Sequence, residues 1–196
     1  MAENAETPSV SGITAVMIDI APMRHRHVPA VIAIEKQVYP RPWSRALLLG
    51  ELDLKTSRAY IVARDGRRVV GYAGIMLVGD EGHITTIAVD PNMQRSAIGM
   101  RLMLALAKSA LERAANSMTL EVRASNRAAQ SLYKRYGFVS VGARKGYYQD
   151  NAEDAFIMWV RNIDSPEYGE LLSKYAARYA SSTRIELPRI ISGATQ

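Results

Sequence analysis

Ile84-Thr85-Thr86-Ile87-Ala88-Val89-Asp90-Pro91, followed at once by Asn92-Met93-Gln94-Arg95-Ser96-Ala97-Ile98-Gly99, is the stretch on which the fold turns. Its first six residues are β-formers, and Asp-Pro stops them. The six residues from Gln94 then open a helix rich in Met, Leu and Ala. The first N–H groups of such a helix have no partner within it, and its dipole places partial positive charge at the same point. A strand that ends in a small-residue turn at a helix start is therefore a cradle for an anion, and a phosphate-bearing ligand is expected at Gln94–Gly99. It is not a Walker loop, because no Gly-Lys-Ser/Thr closes it, nor a dinucleotide fingerprint, because three glycines are missing. An ordinary strand–helix turn is the competing reading.

Composition supports a globular chain of 196 residues, 48% hydrophobic, enough for one domain with terminal extensions. The net charge of +6 is uneven: residues 17–160 hold 20 Lys/Arg against 13 Asp/Glu. A basic surface attracts polyanions. However, Arg24-His25-Arg26-His27 and Arg67-Arg68 are short and lack interleaved aromatics, so no nucleic-acid module is read from them. There is no cysteine, hence no disulfide, thiolate metal site or cysteine nucleophile. His25, His27 and His83 lack ligand-like spacing, and no metal is expected. No apolar run of membrane-spanning length and no secretory signal are seen, so a cytoplasmic location with no membrane contact is the expectation.

Outward from the opening stretch, periodicity predicts strands at 13–20, 60–64, 69–78, 83–89, 118–123, 138–144 and 155–160. Helices are predicted over 24–38, 44–54, 96–113 and 125–136. The order βααβββαβαββ is a mixed α/β domain over residues 13–161, preceded by a disordered lead at 1–12. Ser165-Pro166-Glu167 starts one more helix in the extension 162–196. Its apolar face (Tyr168, Leu171, Leu172, Tyr175, Ala176, Tyr179) packs on its own domain or serves a partner. Residues from Ile185 on are expected to be a tail, docked through Ile190-Ile191. Oligomeric state is left open.

A second constellation is Leu120-Glu121-Val122-Arg123-Ala124-Ser125-Asn126, then Ala129-Gln130-Ser131-Leu132-Tyr133 and Tyr136-Gly137-Phe138. It sets a carboxylate on a strand, an amide at the next helix start and a phenol two turns on. From the residues alone, Glu121 could pair with Arg123 at the surface, Tyr133 could be a core aromatic, and Asn126 a helix cap. Tyr147-Tyr148 could be strand-pairing aromatics and Trp43 simple packing. Taken with Pro42-Trp43-Ser44, Ile87 to Pro91, Gly142-x-Arg144, Tyr147-Tyr148 and Glu153-Asp154-Ala155-x-Ile157-Met158, the pattern over roughly 17–160 resembles the GNAT superfamily of acetyl-CoA-dependent N-acetyltransferases. Within it the RimI type is the nearer likeness.

The resemblance implies a mixed central sheet flanked by helices, with the helix after Ser165 as an extra. It implies that acetyl-CoA is the acetyl donor, its diphosphate on the amides of Gln94, Arg95, Ser96, Ala97, Ile98 and Gly99. The pantetheine arm would lie along Ile87, Ala88 and Val89, and Asn126 would contact it. Glu121 would be the general base and Tyr133 the general acid, while Trp43, Tyr147 and Tyr148 would face the acceptor. The implied acceptor is a protein N-terminus, for the RimI type the N-terminal alanine of the eighteenth small-subunit ribosomal protein. A basic acceptor needs acidic neighbours, for which Glu51, Asp53, Glu153 and Asp154 are candidates. Ala97 departs from the family, which has glycine there; alanine suits the position if its φ is negative. The rival readings are a GNAT enzyme acting on other N-termini, lysines or small amines, and a non-catalytic acyl-CoA-binding or ribosome-associated adaptor.

Overall fold

The structure, a computed structural model, describes residues 17–189. Its centre is a pair of strands buried on both faces, β2 (Arg58–Asp65) and β3 (Arg68–Val78). Side chains alternate across a strand. Thus Ile61 and Ala63 enter one core while Tyr60 and Val62 enter the other. The remaining strands are β1 (Ile18–Pro22), β4 (Glu81–Val89), β5 (Ser117–Arg123), β6 (Val139–Tyr148), β7 (Glu153–Arg161) and β8 (Thr183–Ile185). Together they form one sheet in the order β6-β7-β5-β4-β3-β2-β1-β8. Only β4–β5 and β1–β8 are parallel.

Helices α1 (Val28–Val38) and α2 (Arg45–Asp53) cover one face, sealing Val31, Ile34 and Leu48 against Tyr60, Val62 and Tyr72. On the other face lies α3 (Ile98–Glu112), whose residues are buried almost all round. A helix apolar on every side needs cover on every side. The sheet covers α3 below, while α4 (Arg127–Arg135) and α5 (Pro166–Tyr179) flank it. Tyr168, Leu172 and Tyr179 of α5 enter this main core, so the C-terminal helix packs on its own domain, against α3. Each of these buried side chains contributes on the order of 2 kcal/mol of gross transfer free energy.

The strand and helix order matches the sequence reading, with differences at element ends. Within the described residues the first strand starts at Ile18 and runs on to Pro22; the predicted start at 13 and the lead 1–12 lie outside them. Arg24 to His27 is not α-helical: His25–His27 is a 3₁₀ turn. Pro29, second in α1, has no N–H with which to extend the helix backwards. The helix predicted from Ser125 begins at Arg127, capped by Asn126. The chain at Ile185 is not a free tail, because Thr183–Ile185 pairs with Ile18–Ile20 of β1. Ile190-Ile191 lies outside the described residues.

Candidate active site

The site originates in a defect of the sheet. β4 pairs with β5 only at Glu81–His83. One residue further on, the register between β3 and β4 slips: Gly74 faces Thr86 and Ile75 faces Ile84, leaving Thr85 extra. A bulge bends the strand that carries it. β5 continues to Arg123 on β7 while β4 departs, so a cleft opens between the two parallel strands. The carbonyl of Ile87 faces this cleft, where it accepts the Tyr39 hydroxyl at 2.9 Å.

One arm of the cleft is a cavity of about 800 Å³. Ile87, Ala88 and Val89 line it, as do Gln94, Arg95, Ala97, Ile98 and Gly99 from the loop into α3, and Asn126 at the start of α4. Ser96 is exposed and lines neither arm. The loop is strained: Arg95 has φ +62° and Ala97, the N-cap of α3, φ +57°. The condition of negative φ at Ala97 therefore fails. A left-handed residue turns the chain out of the sheet and into α3, and its carbonyl still accepts from Arg101 N at 3.2 Å. The helix start lies close on the sheet, because Gly71 on β3 has no Cβ; one built there would stand 3.0 Å from Ala88 O and 3.2 Å from Ile98 Cγ2. Asn126 does cap α4, its Oδ1 accepting Ala129 N at 3.0 Å. The cap and the cavity wall are the same side chain.

The other arm, about 420 Å³, lies between the α1–α2 loop and the β6–β7 hairpin, with Trp43, His83, Tyr147 and Tyr148 on its walls. Both sides are tied down. Arg41 donates to Gln149 Oε1 at 3.0 Å across the opening. Buried Glu35 accepts the N–H of Trp43 at 2.7 Å. Arg123 lies 3.8 Å over the Tyr148 ring and binds Asp150 and Glu153 at 2.8 and 3.1 Å. Glu153 also accepts Ser125 N at 2.7 Å, and these hydrogen bonds, led by Ser125, hold its carboxyl down to about 2. Burial pushes the Tyr148 phenol up to about 12, against the pull of Arg123.

Six residues line both arms, Glu121 and Tyr133 among them. Glu121 does not pair with Arg123. Its Oε2 lies 3.2 Å from His83 Nε2 and its Oε1 3.2 Å from Arg144. Tyr133 is buried, and loss of solvent drives its phenol well above the ordinary range, so it stays protonated at every physiological pH. A held carboxylate and a protonated phenol at one junction can receive one proton and supply another.

A model of the acetyltransferase (GNAT) family matches residues 28–138. This chain belongs to the GNAT family. Its similarity to named members runs over most of their length. A protein of Bacillus subtilis (strain 168), provisionally named [ribosomal protein bS18]-alanine N-acetyltransferase, is 38% identical over 138 residues, 70% of this chain and 91% of that one. The Escherichia coli K12 enzyme of that name is 34% identical over 147 residues, 72% of this chain and 96% of its own. The crystal structure of the ribosomal-protein-S18-alanine N-acetyltransferase from Escherichia coli has a TM-score of 0.68 at 31% identity, covering 74% of this chain and 94% of that one.

GNAT enzymes use acetyl-CoA, and the larger arm fits it: a long open cavity, an unpaired strand edge, and a helix start flanked by arginines. Sequence reasoning misses the contacts of four residues of this site: His83 and Arg144 as partners of Glu121, Tyr39 as a donor to Ile87 O, and Arg123 as the anchor of Tyr148. Arg123 carries a signal in sharing the strand face of Glu121, and Arg144 one in the Gly142-x-Arg144 motif. Of the four acidic candidates, Glu51 is bound to Arg58 and Tyr60, Asp53 lies beside His25, Glu153 is bound to Arg123, and Asp154 accepts Gly146 N. The acidic residues lining the smaller arm are Glu121 and Asp150, the latter also bound to Arg123. Among the described residues no helix is long and apolar enough to cross a membrane.

Proposed function

We propose that this protein transfers acetyl from acetyl-CoA to the N-terminal α-amine of a protein, as a RimI-type enzyme whose acceptor is the N-terminal alanine of ribosomal protein bS18. The reading rests above all on the junction: Glu121 and Tyr133 are common to an arm fit for coenzyme A and an arm walled by aromatics. The names and identities of the relatives support the acceptor. Bound acetyl-CoA supplies the acyl group as a thioester.

The chain does the rest. Trp43, Tyr147 and Tyr148 orient the incoming N-terminus. Glu121 takes a proton from the α-ammonium, directly or through one water, which frees the lone pair for attack. His83 and Arg144 hold its two oxygens in place. Main-chain N–H groups near Val89 polarise the acyl carbonyl, and Tyr133 gives its proton to the leaving sulfur. The second proton of the attacking nitrogen, lost as the amide forms, restores the Tyr133 phenol, and the proton on Glu121 passes to solvent; amide formation and loss of the thiol then balance without a covalent enzyme intermediate, in a chain that has no cysteine. Ile87–Val89 and the Gln94–Gly99 loop hold the donor through backbone, as an added strand and an anion at a helix start are held.

A peptide array with varied N-termini and labelled acetyl-CoA tests this. Peptides starting Ala-Arg should be acetylated at the α-amine, and peptides with blocked N-termini should not. Transfer only to lysine side chains or to polyamines would overturn the acceptor; acetyl-CoA binding without transfer to any amine would make the protein an adaptor.

A further inference from the structure

The larger arm has a wall that comes from outside the matched family region. Arg178 and Tyr179, the last two residues of α5, line it beside Arg95 of the anion loop and Arg135 of α4. The family match ends at residue 138, and relatives covered over more than nine-tenths of their own length account for only 70–72% of this chain. We propose that Arg178 is a phosphate-binding residue for coenzyme A, supplied by the C-terminal helix. This inference rests on the acetyl-CoA reading given above.

The end of α5 is fixed in place. Tyr179 is buried under the Arg101 guanidinium, 5.2 Å from its ring centre, and Arg101 donates to Ser182 Oγ at 3.1 Å. The Tyr175 hydroxyl donates to Arg135 O at 3.1 Å, and its ring lies 4.8 Å from that of Tyr136. After a 3₁₀ turn at Ala180–Ser182 the chain is drawn into the sheet as β8. The helix is therefore anchored to α3 and α4, the two helices that bound the cavity, and Arg178 stands at a set position between them.

Charge gives the position its meaning. Arg95, Arg135 and Arg178 are exposed, and among the described residues none of them forms an ion pair. Glu121 is the one carboxylate among the lining residues, and it is held by His83 and Arg144 at the junction. Arg101, one turn into α3, is buried with its Nε unpartnered and no carboxylate beside it. Those three lining arginines, Arg95, Arg135 and Arg178, are unneutralised cations that suit an anion of several charges, and coenzyme A carries a diphosphate and a 3′-phosphate. Guanidinium groups bind phosphate through paired, charge-assisted hydrogen bonds. The competing role for Arg178 is purely structural, as a cation on the C-terminal end of α5 and 5.9 Å from the Tyr179 ring.

Titration calorimetry of the full chain with coenzyme A and with 3′-dephospho-coenzyme A separates the two. R178A and R178Q should weaken coenzyme A binding about tenfold, the loss of one charge-assisted contact, with R178K within about threefold of the parent. K174A, on the same helix but off the cavity, should bind like the parent, and the unliganded variants should melt within about 2 °C of it. A loss that disappears with the dephospho form assigns Arg178 to the 3′-phosphate; a loss that persists assigns it to the diphosphate. Unchanged affinity of R178A and R178Q for coenzyme A would overturn the proposal. Failure of the parent protein to bind coenzyme A at all would instead sink the acetyl-CoA reading, and this inference with it.

Discussion

The two arms of the cleft are built from different material. The larger one is framed by main-chain features, the edge of β4, the turn at Gln94–Gly99 and the start of the buried helix α3, with arginines from three elements around them. The smaller one is made of side chains on a loop and a hairpin, held together by Arg41–Gln149 and by Arg123 with Asp150 and Glu153. Backbone recognition suits a ligand shared by a whole family, since substitutions leave it largely intact. Side-chain recognition suits an acceptor that differs between members. Substitutions in the two arms should then separate kinetically, and those at the junction should spare both binding steps. E121Q and Y133F are accordingly expected to lower kcat by about 10²- to 10³-fold, with the Kd for acetyl-CoA within twofold of the parent. Steady-state kinetics alongside calorimetry checks this. A loss of acetyl-CoA binding in either variant would assign that residue to one arm and remove it from the junction.

The acceptor arm should fail next. Arg123→Ala frees the Tyr148 ring and leaves Asp150 and Glu153 unpaired at once. The KM for an Ala-starting peptide is expected to rise about tenfold, with acetyl-CoA affinity little changed. An equal loss in both would show that Arg123, which borders both arms, serves both. Acid should attack the same hairpin. Glu153 sits at about 2 in the folded protein against an ordinary 4.5, so its stabilising contribution is complete above the ordinary value and lost as pH falls toward 2. Amide exchange over residues 149–153, corrected for intrinsic rates, should therefore accelerate between pH 5 and pH 3, while the core of α3 stays protected. In E153Q the share of that pH dependence due to Glu153 should vanish, leaving a smaller one from Asp150, whose carboxyl the Arg123 hydrogen bond also holds below its ordinary range.

These contrasts also track what could be read from sequence. The α3 helix and the β2–β4 strands were legible because apolar periodicity is local and repeats over several turns or strand pairs. The alternation in β5 put Glu121 on a definite face. What Glu121 touches was not legible, because His83 and Arg144 reach it from β4 and β6, 38 and 23 residues away in the chain. The bulge at Thr85 that opens the cleft leaves no mark, since Thr-Thr carries neither glycine nor proline. β8 is three residues long, too short for a period, and exists because β1 offers an open edge. The turn before α3 was read as a phosphate cradle from residue type, yet its torsions were not: non-glycine residues seldom sit at positive φ, so Ala97 pointed to the wrong backbone.

Ala97 also provides the mildest test of the comparison. A residue with a Cβ in the left-handed region costs about 1 kcal/mol more than glycine there. Against that relief, glycine adds freedom to the unfolded chain, and Ala97→Gly also removes a methyl packed on the main core. These terms nearly cancel, so stability should change by less than about 0.5 kcal/mol, which at this chain length moves Tm by less than about 2 °C. Because the alanine already holds the torsion a glycine would supply, the amide of Ala97 keeps its position, and affinity for acetyl-CoA should change less than threefold. Acceptor KM should not change at all. A tenfold gain in acetyl-CoA affinity would show instead that strain at Ala97 is relieved only when the ligand is absent, by a loop that leaves the observed conformation. The larger arm would then be no more rigid than the smaller one, and the distinction between them would lie in chemistry alone.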